Sequence, residues 1–199
     1  MLDASPGPTG CDTRVANMLT LQQAATSLPL TSETTSKALT WYGRAAERGD
    51  VRAQRAIGDT YHHGWGVPVD RAEAVKWYRL AAERGDVKAQ KRLASIYSFD
   101  GGSPEDQVEA VEWYRLAAEQ GDAGARRSLG LKYLQGQGVR RDYVLAYMWF
   151  SLAASADRHE SAPDYGATWG CHLAAKQMTP EQIAKAQRMA SEWRPKTQP

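Results

Sequence analysis

Four tryptophans, Trp41, Trp77, Trp113 and Trp149, are separated by 36, 36 and 36 residues. No other feature limits the fold so strongly, because a fixed period of this size is the mark of stacked repeats rather than of one irregular core. Ala53, Ala89 and Ala125 keep the same step, as do Ile57, Leu93 and Leu129. So do Tyr61, Tyr97 and Tyr133, and Asp70, Asp106 and Asp142. The decapeptide WYRLAAERGD (77–86) has near copies 36 residues to either side, WYGRAAERGD and WYRLAAEQGD.

Inside a unit the apolar spacing is helical. Ala74, Tyr78, Ala81 and Ala82 share one face with Trp77 on its flank, and Ala89, Leu93 and Tyr97 form a second stripe. Asp70 and Asp86 are expected as N-caps, and Gly85 as the residue that ends the first helix. Each unit is therefore a helical hairpin whose small alanines let the two helices approach closely. One hairpin cannot bury both stripes, so neighbours must stack. The turns GWGVPVD (64–70) and GQGVRRD (136–142) share a form that DGGSPED (100–106) breaks. A different loop is expected there, with the helix start at Asp106 unchanged.

The pattern D-x-x-x-A-x-x-W-Y-x-x-A-A-x-x-G-D, followed by A-x-x-x-L-G-x-x-Y-x-x-G-x-G-V, resembles the Sel-one-like repeat, a tetratricopeptide-like α/α class. Units one to three carry it over about Ala38 to Asp142, and RDYVLAYMWFSLAAS keeps a first helix of unit four. MTPEQIAKAQRMASEW (178–193) is similar to the closing segment of many bacterial members. The resemblance implies an all-α, right-handed solenoid of helical hairpins. The expected division is a loose segment at 1–33 and repeats at 34–69, 70–105 and 106–141. A divergent repeat at 142–177 and a capping helix with tail at 178–199 complete it. The first segment holds one helix, about Thr13 to Ser27, in the place of a degenerate half-repeat. In the fourth repeat Ser161, Tyr165 and Trp169 replace the Ala/Leu/Tyr stripe. Thr179 and Pro180 open the cap, with Ile183, Ala186, Gln187 and Ala190 inward.

Charge and cysteine usage narrow the function. Lys and Arg total 25 against 23 Asp and Glu, a net +2, too balanced for a nucleic-acid footprint. No apolar run reaches the roughly 20 residues a membrane span needs, and no secretory leader is written at the amino terminus. The sequence as it stands is expected in the cytoplasm, or in the periplasm or outside the cell if its true start is missing. Cys11 and Cys171 are the two cysteines, and no bridge between them is expected.

Catalytic and metal-binding patterns are weak. His62 and His63 are adjacent on a helix and so point about 100° apart, which prevents joint chelation of one metal. Cys171–His172 lacks an identifiable orienting group. Glu105 and Asp106 stand at a helix start, where the dipole favours carboxylates. The Trp and Tyr ladder has the spacing of a core. No cofactor or metal is expected. Cysteine-rich relatives that hydrolyse β-lactams carry a Cys pair in each unit, which this chain lacks; a hydrolase of β-lactam or cell-wall-related substrates is the alternative reading.

The resemblance implies binding of a protein or peptide by a monomeric, non-catalytic adaptor. The helical wheel leaves one stripe of each first helix unused by the core. It comprises Thr40, Gly43 and Glu47 in unit one, then Lys76, Arg79 and Glu83 in unit two. Glu112, Arg115 and Glu119 follow in unit three, and Met148, Ser151 and Ser155 in unit four. Arg79–Glu83 and Arg115–Glu119 have the i, i+4 spacing of ion pairs. Lys76, Arg79, Glu83, Glu112, Arg115, Glu119 and Met148 are the candidate partner-binding residues.

Overall fold

Aspartates decide where most of the helices begin. The carboxylates of Asp50, Asp70, Asp86, Asp122 and Asp142 each accept the backbone N–H three residues on, at 2.7–2.9 Å. Each thereby satisfies an amide that has no partner inside the helix. Gly49, Gly85 and Gly121 turn the chain between paired helices with φ of 90°, 86° and 101°, a region that side-chain-bearing residues rarely enter.

The structure, a computed structural model, describes residues 32–99, 103–156 and 165–195, without the side chains of 32–38 and 99. Four hairpins are formed by α1 (Ser32–Glu47) with α2 (Val51–His63), α3 (Arg71–Glu83) with α4 (Val87–Phe99), α5 (Pro104–Glu119) with α6 (Ala123–Gln135), and α7 (Tyr143–Ala156) with α8 (Tyr165–Ala175). α9 (Pro180–Glu192) follows. From α1 to α8 each helix packs on the next, α6 also reaches α8, and α9 turns back onto α7. This is an all-α repeat array, stabilised by neighbour-to-neighbour burial. The helix expected at 13–27, Cys11 and Ser161 lie outside the described residues.

Burial follows the repeated positions. Ala74, Tyr78, Ala81, Ala82, Ala89 and Leu93 form one cluster, and Ala117, Ala118, Ala125 and Leu129 belong to the next. Glycine or alanine occupies the position beneath the aromatic that follows Trp77, Trp113 and Trp149. A Cβ on Gly58 would lie 2.7 Å from the Tyr78 ring, and Phe150 is wedged between Gly130 and Gly170, where added Cβ atoms would meet it at 2.9 and 2.5 Å. Ala94 occupies the equivalent position in unit two.

The loop before α5 corrects an expectation. Ser103, not Asp106, caps this helix, and Pro104 occupies its first position. Asp106 sits three residues inside and accepts the Ser103 N–H through Oδ2 at 2.8 Å, while the Asp106 N–H donates to Ser103 Oγ at 3.2 Å. Ser-Pro-x-Asp satisfies both amides reciprocally and has its proline where no helical N–H is needed, so the helix starts earlier. Thr179 and Pro180 build the same box with Gln182 at the start of α9. On α9 Ala186 is fully buried, Ile183 and Ala190 are half-buried, and Gln187 is exposed rather than inward.

Candidate functional site

Repetition of the first helices sets their outer positions in rows, and Arg79 shows how one row is organised. Its Nη2 donates to the Tyr97 hydroxyl at 2.6 Å and to Glu109 Oε1 at 2.6 Å. Tyr97 belongs to the second helix of the same unit and Glu109 to the first helix of the next, so one guanidinium ties three helices. Burial alone would lower the Arg79 pKa, but the bonds and charge of Tyr97 and Glu109 outweigh it and raise it. Glu109 Oε1 also accepts the Trp113 indole N–H at 3.3 Å, as Glu73 Oε1 accepts that of Trp77 at 3.0 Å.

The pairing therefore differs from the intrahelical one expected. Arg79 bonds Glu109, 30 residues on, instead of Glu83. Arg115 bonds Glu112 on its own helix at 3.1 Å and the Tyr133 hydroxyl at 3.4 Å. Residue 145, where a third glutamate would stand, is leucine, so Arg115 has no carboxylate to meet in the next unit and turns back. Burial opposes the charge on Arg115, while Tyr133, Glu112 and Glu119 raise its pKa on balance.

Lys76, Glu83 and Glu112 are exposed, and Glu119 is half-buried. Lys76 Nζ reaches Glu73 Oε2 at 2.8 Å. Met148 is a correction: it is 5% exposed and belongs to the core, because α9 folds back over α7 and places Met189, Ala190 and Trp193 against that cluster. The row that faces solvent in units two and three is covered in unit four.

A second set of contacts escaped the sequence reading altogether. Gln54, Gln90 and Arg126 are buried at one repeat position, and each donates to a carbonyl near the end of its partner helix, that of Ala46, Ala82 or Ala118, at 3.0, 3.0 and 3.2 Å. Arg126 further donates to the Leu152 carbonyl at 3.2 Å and lies 4.4 Å from the Trp193 ring. Burial lowers its pKa, with the Asp122 charge opposing. Lys132 is also buried; it donates to Gln107 Oε1 at 2.6 Å and Gln137 Oε1 at 3.3 Å, and burial pushes its pKa down. These groups hold the junctions between helices.

The residues weighed for chemistry do not gather into one site, although the His62 and His63 rings meet edge to face at 4.8 Å. Cys171 is half-buried, its thiol 3.6 Å from Ser151 Oγ, and burial pushes its pKa up with the Ser151 bond opposing. A raised pKa reduces the thiolate fraction that nucleophilic attack requires. His172 instead joins Trp169 and Tyr165 along an open depression of about 750 Å3 on α8. His63 is exposed and stacks on Trp65 at 4.6 Å, while His62 is half-buried near Tyr78. Among the described residues no three His, Cys, Asp or Glu side chains gather in a metal-binding group. No described helix is long and apolar enough to cross a membrane.

A family model described as the Sel1 repeat matches residues 35–50, 51–86, 87–122 and 123–157, framing the units from the second helix rather than the first. A Sel1 repeat protein from Oxalobacter formigenes has a crystal structure similar to this one, with a TM-score of 0.56 and 29% identity over 77% of each chain. The crystal structure of c5321, a protective antigen of uropathogenic Escherichia coli strains displaying an SLR fold, is similar at the same TM-score of 0.56 and 29% identity. That match covers 77% of this chain, which spans only 40% of the antigen. The comparison with curated proteins gives no match.

Proposed function

The chain belongs to the Sel1 repeat family, and on that premise we propose that it is a non-catalytic scaffold holding a partner protein or peptide on the outer row of its first helices. Sel1 repeats are commonly protein-interaction scaffolds. One observation carries the reading to particular residues. Buried alanines, leucines and capping aspartates recur from unit to unit, while the exposed positions change: Thr40, Lys76 and Glu112 occupy one row on the same rigid spacing. A preformed surface with varied side chains binds without first ordering a loop, which lowers the entropic cost of association.

Arg79 and Arg115 shape this surface from within their ion-pair networks, and Lys76, Glu83 and Glu112 present exposed charge, Lys76 paired with Glu73 and Glu112 with Arg115 on the same helices. Charge reversal at Lys76 and Glu83 therefore tests binding with the least damage to folding. Affinity capture from the native host, followed by calorimetry with the purified partner, is expected to show at least about a tenfold loss for Lys76→Glu/Glu83→Lys. Equal affinity for both proteins would remove this row as the binding surface.

A further inference from the structure

The Arg79 network is repeated with one member missing. Arg79, Tyr97 and Glu109 are followed 36 residues later by Arg115, Tyr133 and Leu145, and preceded by Gly43, Tyr61 and Glu73. Unit one thus keeps the tyrosine and the glutamate but has glycine in place of the arginine. Among the described residues, a Cβ built on Gly43 meets no atom within 4 Å, so they leave the space beside it open. Glu73 already holds the posture of Glu109: its Oε1 accepts the Trp77 indole N–H at 3.0 Å, as Glu109 Oε1 accepts that of Trp113 at 3.3 Å. In unit two that same Glu109 oxygen takes the Arg79 guanidinium at 2.6 Å. The other oxygen of Glu73 bonds Lys76, whose side chain is 70% exposed. Such a surface pair holds weakly and does not close the site.

We propose that Tyr61 and Glu73 receive an arginine side chain from a partner polypeptide in the space beside Gly43, rebuilding in trans the contact that Arg79 makes in cis. The occupant is an arginine within an extended or helical segment of the partner. A guanidinium has the geometry to donate to a hydroxyl and a carboxylate together, as Arg79 does, which a compact ammonium reproduces poorly. This rests on the scaffold reading and adds the chemistry of one contact.

The test is a titration of the 15N-labelled full chain, followed at the Trp77 indole N–H, with the peptide acetyl-Ala-Ala-Arg-Ala-Ala-amide and its citrulline counterpart. The arginine peptide is expected to shift the Trp77 resonance and the citrulline peptide to leave it in place. Gly43→Ala keeps the space and the response. Gly43→Arg supplies the side chain internally, and Glu73→Gln removes the acceptor charge; each is expected to weaken the response about tenfold or more. Circular dichroism verifies that both variants fold. An unmoved Trp77 signal, equal shifts from the two peptides, or an undiminished response in Gly43→Arg would each overturn the proposal. A host partner that binds wild type and Gly43→Arg equally but fails with Lys76→Glu/Glu83→Lys would sink the arginine slot and leave the scaffold reading intact. A specific peptide response with no partner sensitive to Lys76 and Glu83 would do the reverse.

Discussion

Arg79 bonds Glu109 at 2.6 Å across the boundary between the second and third units. The same nitrogen holds Tyr97, so the contact joins a hairpin both to itself and to its neighbour. Arg115 keeps its carboxylate contact on its own helix. Replacing each arginine by alanine is expected to separate these roles. Arg79→Ala loses about 1 kcal/mol, discounted for its partial exposure. Arg115→Ala loses about half as much, both read from urea unfolding midpoints. A larger loss at Arg115 would contradict the cross-unit role.

Two glycine-to-alanine changes should have opposite signs. Both sites lie inside helices, where alanine is intrinsically preferred. Gly43→Ala meets no atom of the described residues within 4 Å and is expected to stabilise by about 0.5–1 kcal/mol. Gly130→Ala drives a methyl to 2.9 Å from the Phe150 ring and is expected to destabilise by about 1–3 kcal/mol. Thermal unfolding of the two variants decides this, and equal signs would show that packing against Phe150 does not set the residue at 130.

Acidification should weaken the fold through His62. Burial first, then the charges of His63, Arg92 and Arg71, hold its pKa below the ordinary 6.5, with Asp59 opposing. The folded chain then binds fewer protons than the unfolded chain. The contribution of His62 is complete above about pH 6.5 and is lost as pH falls through that value toward the folded pKa. Between about pH 7 and pH 5, a His62→Asn variant is expected to show a shallower fall in melting temperature than wild type. Parallel curves would clear His62 of the effect.

Arg126 can be dissected by comparison with its repeat equivalents. Glutamine at 54 and 90 makes the bond to the partner helix, so Arg126→Gln is expected to keep that bond and lose only the Leu152 and Trp193 contacts. The cost should be about 1 kcal/mol, against about 2–3 kcal/mol for Arg126→Ala, which leaves buried carbonyls without a donor. Chemical denaturation that ranks the two alike would show that the Ala118 bond carries little.

The period made the hairpins legible because Asp70, Asp86, Gly85 and the Ala–Leu–Tyr stripes obey local rules of capping and spacing. The Sel1 match and the similar crystal structures bear out that reading of the fold. What one helical wheel could not supply was partnership at a distance. Arg79 has Glu83 at ideal spacing on its own helix, and only stacking shows that Glu109 lies in the path of the guanidinium. Gln54 and Gln90 carry no local signal of their own, and it is the closeness of the paired helices that makes them internal donors. Met148 occupies an outward position of α7, and its burial depends on Met189, Ala190 and Trp193, which α9 brings back against it. The N-cap at Ser103 is legible in the sequence as Ser-Pro-x-Asp, a start signal that the 36-residue recurrence of Asp106 overlies.

The return of α9 onto α7 also bears on how such a chain can lengthen. Junctions between the first three units bury equivalent core positions, so an extra block of 36 residues could be duplicated there while each neighbour still met a matching core face. Unit four is different, because the outer row of α7 is taken by Met189, Ala190 and Trp193. A copy of that unit without its closing helix would bare the Met148 side to water, and a copy carrying it would sever the series. Growth by duplication is therefore confined to the upstream blocks, and the last hairpin travels only together with its cover.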